Sequence, residues 1–315
     1  MFVYLLFIFG LVLLVVGGDW LVKGAVGLAE KLSIPPLIIG LTIVAFGTSA
    51  PELVISLRAA LSGNGGIAVG NVVGSNIANV LLVLGVPALF ASIACAEKDL
   101  KTSLFFLIGL TVVFMLQMTY GPINRIDGLL LLVCLVAFLT QQILAARRHQ
   151  KSSSDEVYKE EVGSVPTNNL IIGGFMISGL IALPLGATFT VDSAVEIATR
   201  WNISKEVIGL TVVAIGTSLP ELATGIMAAR QNNASVAVGN IIGSNLFNIA
   251  AIMGITATVT NVPVGAHIIN FDMWVMLGAT LLLIALPIFK VTLKRRAGLV
   301  LTAAYLAYLL TTAAH

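Results

Sequence analysis

Two stretches of the chain decide its fold. Residues 40–86 read GLTIVAFGTSAPELVISLRAALSGNGGIAVGNVVGSNIANVLLVLGV, and residues 209–255 read GLTVVAIGTSLPELATGIMAARQNNASVAVGNIIGSNLFNIAAIMGI. They align without a gap at an offset of 169 residues, and 23 of the 47 aligned positions are identical. A repeat of this length indicates that the chain consists of two copies of one structural unit.

The composition places both copies in a membrane. Hydrophobic residues make up 58% of the 315 residues, charged residues only 10%, and the mean hydropathy is +1.02. A soluble domain carries about 25% charged residues, so a soluble fold is excluded, and the high hydrophobicity excludes a disordered chain. The apolar runs predict an all-α integral membrane protein with ten transmembrane helices, near 2–29, 35–61, 67–91, 101–119, 125–146, 169–199, 205–230, 236–260, 271–289 and 296–314.

Each half of the chain carries five predicted helices. Residues 1–150 form the first five-helix repeat, residues 169–315 form the second, and the polar residues 151–168 form a linker. An odd number of spans inverts the second copy in the membrane. Secondary transporters with two inverted repeats bind ions near the midplane, between the repeats. We therefore expect the ion-binding segments to be the repeated stretches themselves.

The distribution of Lys and Arg predicts the orientation of the chain. Twelve of them lie in loops after odd-numbered helices, and four lie on the opposite side. The positive-inside rule therefore places the linker in the cytoplasm and both termini outside. We expect a monomer in the lipid bilayer of the cell inner membrane, with no nucleic-acid partner. The two cysteines, Cys95 and Cys134, are expected to be unpaired thiols.

Each copy begins with the motif G-T-S-x-P-E. A proline within a helix lacks an N–H and clashes with the carbonyl four residues earlier, which belongs to Gly47 before Pro51 and to Gly216 before Pro220. Carbonyls without helical partners are tolerated in a membrane only where they line a cavity or meet protein. Such oxygens suit hard cations such as Na⁺ or Ca²⁺.

The glutamate of this motif is the strongest functional signal. Glu52 and Glu221 lie inside apolar runs, where an ionisable residue costs about 2.5–3.5 kcal/mol to insert and marks a functional site. Helical spacing adds hydroxyls and amides from both motifs, the second being G-N-x-x-G-S-N-x-x-N. A converging cage of oxygens without imidazole or thiol selects Ca²⁺, Na⁺ or Mg²⁺ over Zn²⁺ or copper. The predicted cage comprises Thr48, Glu52, Ser75, Asn79, Thr217, Glu221, Ser244 and Asn248.

The second motif also carries two glycines in each copy. They follow a small-xxx-small pattern, which lets neighbouring helices approach closely. Such an approach is needed to bring the ligands of an ion cage together. The four residues are Gly70, Gly74, Gly239 and Gly243.

The paired motifs resemble the two α-repeats of the sodium/calcium exchanger family, within the calcium/cation antiporter superfamily, over nearly the whole chain. The resemblance implies that Glu52 and Glu221 hold Ca²⁺ and share in holding Na⁺, and that Thr48 and Thr217 complete the Ca²⁺ site. It implies further that the backbone carbonyls of Ala45 and Ala214 hold Na⁺, that the flanking Na⁺ positions are surrounded by Ser49, Ser75, Ser218 and Ser244, and that Asn79 matches the asparagine of the first repeat. Some members carry an aspartate where this chain has Asn248, and its absence weakens the case for potassium dependence.

These features predict a Na⁺/Ca²⁺ antiporter that works by alternating access, with Ca²⁺ and Na⁺ as transported ions and no cofactor. A Ca²⁺/H⁺ antiporter, or a K⁺-dependent Ca²⁺/cation antiporter, stays open as the alternative, because protonation of the glutamates would also release Ca²⁺. A channel is disfavoured because the site lies between two halves of one chain, not at an oligomer axis. An enzyme is disfavoured because the sequence contains neither H-E-x-x-H nor G-x-S-x-G.

Charges outside the motifs are assigned simpler roles. Asp19 and Lys23 are four residues apart and are expected to pair. Asp127, His149, His267 and Asp272 lie at predicted loop edges and are expected to be solvated. The linker acids lack the spacing of an EF-hand calcium loop.

Overall fold

The computed structural model describes residues 2–95, 100–152, 166, 168–201 and 214–313. We number its helices in chain order: α1 (Phe2–Leu32), α2 (Pro36–Thr48), α3 (Ala50–Leu61), α4 (Gly65–Phe90), α5 (Leu100–Thr119), α6 (Arg125–Ser152), α7 (Asn169–Arg200), α8 (Ala214–Gly216), α9 (Leu219–Arg230), α10 (Ala234–Val259), α11 (Ile268–Ile288) and α12 (Arg295–Ala313). Two short strands, β1 (Ile93–Ala94) and β2 (Thr292–Leu293), pair antiparallel. The all-α fold class is confirmed.

Several of these helices are long and apolar enough to cross a membrane. Seven meet that description among the described residues, or eight if α2 and α3 form one bent span. The chain is therefore a multi-span integral membrane protein. Part of the helix expected at 205–230 and most of the linker at 151–168, including its acidic residues, lie outside the described residues.

The repeat in sequence is also a repeat in structure. The bounds of α3 and α9 differ by the same 169 residues at both ends, and so do those of α4 and α10. Both long helices contain a π-helical segment, Asn79–Val83 in α4 and Asn248–Met253 in α10. These segments start at the matching asparagines of the second motif. Such π-bulges are frequent at functional sites.

Helices α1 and α7 pack along their length through glycines. A Cβ placed on Gly10 would lie 2.5 Å from Thr190 Oγ1, and one on Gly17 would lie 2.9 Å from Ala182 Cβ. Residues later in α1 contact residues earlier in α7, so the two helices run antiparallel. The small residues allow this close approach, as is typical of membrane helix pairs.

Helix α2 lies against α10, which belongs to the other half of the chain. A Cβ on Gly239 would lie 2.7 Å from the Leu37 carbonyl oxygen, and one on Gly243 would lie 2.6 Å from Ala45 Cβ. Thr48 of the first motif also lies 3.2 Å from Asn240 Oδ1, so the first motif of one half contacts the second motif of the other half. Most polar residues of the candidate site are buried where these helices meet.

One expectation about a single residue needs correction, and two others are confirmed. The disruption expected from the proline within the helix over 35–61 is present: the helix is broken at Ser49, and α2 and α3 meet at 43°. Pro51 explains the break, because it cannot donate a helical hydrogen bond. Asp272 is not solvated: it is 6% exposed and accepts a hydrogen bond of 2.9 Å from Tyr308 Oη. The expected pair of Asp19 and Lys23 is confirmed, at 2.8 Å.

Candidate cation-binding site

Both G-T-S-x-P-E motifs form the same helix break. Ser49 and Ser218 each leave the helical conformation, with φ and ψ of −83° and 4° and of −88° and 7°. A new helix begins directly after each serine and carries the proline in its first turn. Each new helix also carries its glutamate in the first turn, where the helix dipole favours a negative charge.

The Ala45 carbonyl keeps its regular helical partner despite the break. Its oxygen accepts the Ser49 N–H at 3.0 Å and the Thr48 Oγ1 hydroxyl at 3.3 Å. Both hydrogen bonds are local to the end of α2. A Na⁺ ion held by this oxygen would therefore have to replace the Thr48 hydroxyl.

The two glutamates meet inside the protein. Glu52 and Glu221 are each 1% exposed, and their carboxyl groups are close enough to interact electrostatically. Ser49 Oγ, from the first half, donates a hydrogen bond of 3.1 Å to Glu221 Oε1, from the second half. The Oε2 atom of each glutamate is buried and has no hydrogen-bond partner among the described residues. Two buried carboxylates without a countercharge are costly, and a bound cation removes that cost.

Hydroxyl and amide groups from both halves surround Glu221. The hydroxyls of Thr48 and Ser244 lie near its carboxyl group. Thr48 Oγ1 lies 3.2 Å from Asn240 Oδ1 and 3.5 Å from Ser244 Oγ. It shares its single proton between Asn240 Oδ1 and the Ala45 carbonyl. The oxygens that surround this carboxylate therefore come from α2 and α10.

The asparagines at the start of the π-helical segments are also buried. Asn79 and Asn248 are each 1% exposed. Asn79 Nδ2 donates to Asn245 Oδ1 at 3.0 Å. The Oδ1 atoms of Asn79 and Asn248 are buried without a hydrogen-bond partner among the described residues. Unpaired amide oxygens of this kind are suitable ligands for hard cations.

In the part of the chain that the structure describes, the remaining expected residues make no side-chain hydrogen bond to another site residue. Ser75 and Ser218 are buried, and the Ser218 hydroxyl oxygen has no hydrogen-bond partner among the described residues. Thr217 is half-buried between α8 and α9. Ala214 begins α8, and its side chain lies outside the described set.

Two asparagines that were not predicted as site residues belong to this network. Asn240 contacts Thr48, and Asn245 contacts Asn79, and both contacts cross between the halves. Both belong to the repeated G-N-x-x-G-S-N motif. The sequence signal for them was that asparagine occupies the matching positions, 71 and 76, of the first copy.

The donor set is one of hard oxygens. Among the described residues, no group of three or more His, Cys, Asp or Glu side chains could hold a metal. The site instead combines two carboxylates with neutral hydroxyl, amide and carbonyl oxygens. Ligands of this type favour Ca²⁺ or Na⁺ over transition metals.

Known proteins are similar to this chain in sequence. The family model described as "Sodium/calcium exchanger protein" matches residues 2–144 and 171–314. Putative antiporter CaxA of Alkalimonas amylolytica is 38% identical over 304 residues, which cover 95% of each chain. Sodium/calcium exchanger MaX1 of Methanosarcina acetivorans is 33% identical over 339 residues, which cover 97% of each chain. Inner membrane protein YrbG of Escherichia coli is 39% identical over 257 residues, which cover 81% of this chain and 79% of YrbG.

A solved structure shows the same fold. The sodium-calcium exchanger NCX_Mj, soaked with zero Na⁺ and Ca²⁺, matches with a TM-score of 0.82 and 31% identity over 98% of each chain. Since the family model spans both halves, and the two glutamates of the repeated motif lie together between them, the chain belongs to the sodium/calcium exchanger family.

Proposed function

We propose that the chain is a secondary antiporter that exchanges Na⁺ for Ca²⁺ by alternating access. The observation that carries the proposal is that the buried Glu52 and Glu221 lie close together, with Ser49 of the first half donating a hydrogen bond to Glu221 of the second. Two buried carboxylates from opposite halves form a site that both halves must shape together. Relative motion of the halves would then change access to the site from one side of the membrane to the other.

The proposed ligands are those that the sequence predicted. Ca²⁺ takes six to eight oxygens, and the two glutamates with the neighbouring hydroxyls and amides offer that number. Na⁺ is proposed to use the same carboxylates together with backbone and serine oxygens. The full set is Ala45, Thr48, Ser49, Glu52, Ser75, Asn79, Ala214, Thr217, Ser218, Glu221, Ser244 and Asn248.

The charge of the site explains why transport would be an exchange. The two carboxylates carry a formal charge of −2, which one Ca²⁺ neutralises. An empty site would expose two uncompensated charges to a low-dielectric interior as the halves move. The cation-free protein therefore crosses between its two states slowly, so that one ion leaves only when another replaces it.

We also propose the arrangement of ten helices in two inverted repeats. The antiparallel packing of α1 on α7, its counterpart in the second half, supports inversion. The paired loops support it too: β1 of the first half pairs with β2 of the second, and Val262 pairs with Ile123 in the matching loops. The surplus of Lys and Arg on one side supports a cytoplasmic linker with both termini outside. The name of the YrbG relative supports the inner membrane.

The names of the relatives support the ions. MaX1 and NCX_Mj are both named as sodium–calcium exchangers. The many hydroxyl and carbonyl oxygens around the carboxylates support Na⁺ as the counter-ion, since proton coupling needs only carboxyl groups. We propose that the functional unit is one chain, because both halves of the site lie in it.

Radiolabelled Ca²⁺ flux into proteoliposomes distinguishes the coupling ions. An outward Na⁺ gradient is expected to drive Ca²⁺ uptake, whereas K⁺ and H⁺ gradients applied separately are expected to leave it at background. Uptake driven by a pH step in the absence of Na⁺ would contradict Na⁺ coupling and establish the Ca²⁺/H⁺ alternative. Vesicles without protein give the background.

Transport is expected to depend on membrane potential. Three Na⁺ in a site of formal charge −2 leave +1, so an exchange of three Na⁺ for one Ca²⁺ moves one net charge per cycle, worth about 2.3 kcal/mol per 100 mV. Clamping the potential of proteoliposomes with K⁺ and valinomycin should shift the direction and extent of Ca²⁺ accumulation. Exchange that does not respond to the clamp would contradict this stoichiometry.

A further inference from the structure

One asparagine of the repeated motif has different partners in the two halves. Asn71 and Asn240 occupy matching positions. Asn240 is fully buried, and its Oδ1 accepts a hydrogen bond of 3.2 Å from Thr48 in the opposite half. Asn71 is half-buried, and its Nδ2 donates within its own half, to Ser56 Oγ at 2.9 Å and to the Glu52 carbonyl oxygen at 3.3 Å.

The sequence contains the reason for this difference. Four residues after each glutamate, about one helical turn, the first half has Ser56 and the second has Gly225. Ser56 is fully buried and presents its hydroxyl to Asn71. Gly225 has no side chain, so Asn240 has no such partner on α9. A Cβ at Gly225 would meet Pro87 Cγ and the Val83 carbonyl at 3.4 Å, so the space admits a small side chain.

The two glutamates are consequently held by different means. Asn71 lies on α4 with Ser75 and Asn79, and it binds the backbone of Glu52 and the serine one turn further along α3. Glu52 is thereby tied to the ligands of its own half. Glu221 is instead held through its carboxyl group, by hydroxyls that include Ser49 of the opposite half.

We propose that Ser56 and Asn71 are positioning residues that hold Glu52 at its place beside the α4 ligands, and that Gly225 leaves the second half without a counterpart. The inference rests on the proposed function and deepens it. A ligand held in place before the ion arrives loses less conformational freedom on binding. Loss of the hydrogen bond between Asn71 and Ser56 should therefore weaken Ca²⁺ binding, although no ligand of the ion is removed.

Equilibrium binding of radiolabelled Ca²⁺ to the full chain in lipid nanodiscs tests the proposal. Ser56→Ala is expected to raise the Kd for Ca²⁺ about fivefold, the effect of one neutral hydrogen bond. Asn71→Ala should raise the Kd to a similar extent, and the double variant should bind no more weakly than the worse single variant. Ser56→Thr keeps the hydroxyl and should retain wild-type binding. Gly225→Ala, the matched control in the second half, should leave the Kd unchanged.

Two results would overturn the inference: a wild-type Kd for Ser56→Ala, or effects of the two single substitutions that simply add. The thermal unfolding midpoint of each variant is measured in parallel, because a merely structural role would lower the midpoint and leave the Kd of the folded fraction unchanged. Failure of the wild-type chain to bind Ca²⁺ would instead refute the proposed function, so the two failures are distinguishable.

Discussion

Glu221→Gln is expected to abolish Ca²⁺ exchange while the chain stays folded in the membrane. The substitution removes one of the two buried negative charges and keeps an oxygen that can accept the hydrogen bond from Ser49. Loss of one partner of a buried ion pair costs about 3–5 kcal/mol, equivalent to about two to four orders of magnitude in affinity. The fold should not suffer, since a neutral amide is cheaper to bury than a carboxylate.

Radiolabelled Ca²⁺ uptake into proteoliposomes measures the loss, and gel filtration in detergent checks that the variant is folded. Glu196→Gln is the matched control, because Glu196 is 54% exposed and pairs with Arg200 on the same helix. An exposed pair of this kind contributes little, so this variant should transport normally. If Glu221→Gln exchanged Ca²⁺ at the wild-type rate, the pair of carboxylates would not be required for transport.

Gly243→Ala is expected to reduce exchange at least tenfold and to destabilise the chain. A Cβ at this position would lie 2.6 Å from Ala45 Cβ and 2.6 Å from the Leu41 carbonyl oxygen. Overpacking of this kind costs about 1–3 kcal/mol. Helix α2 would have to move away from α10, and with it Thr48 would leave Ser244 and Asn240. The thermal unfolding midpoint and the Na⁺-driven Ca²⁺ flux report the two effects.

Gly109 of α5 provides the control for this substitution, since it is exposed and a Cβ there would meet no neighbour among the described residues within 4 Å. Gly109→Ala should therefore have a small effect on both measurements. Equal losses in the two variants would show that the packing of α2 on α10 has no special importance.

The sequence predicted the main features of the site because they depend on local properties. A carboxylate inside an apolar run is costly wherever the chain folds, so Glu52 and Glu221 could be identified without a structure. Pro51 interrupts its helix for reasons that lie within a few residues of it. The structure confirms the break and adds the angle between α2 and α3, which depends on the helices packed around them.

Predictions failed where a contact between distant helices decided the outcome. Asp272 was expected at a solvated loop edge, because the sequence does not show that Tyr308 of α12 lies beside it. Asn240 was visible in the motif, but its hydrogen bond joins it to a residue 192 positions away. The sequence also did not show that Asn71 and Asn240 have different hydrogen-bond partners, although it does show serine at position 56 and glycine at the matching position 225.

Hydropathy and the internal repeat were enough to establish a helical membrane protein made of two similar halves, since both follow from the order of residues along the chain. Which oxygen faces which carboxylate followed from the packing of α2 against α10, which joins segments almost 200 residues apart. Sequence spacing specifies the face of a helix on which a residue lies. Which helix packs against that face depends on how all the helices pack together, and two similar repeats can consequently surround their glutamates differently.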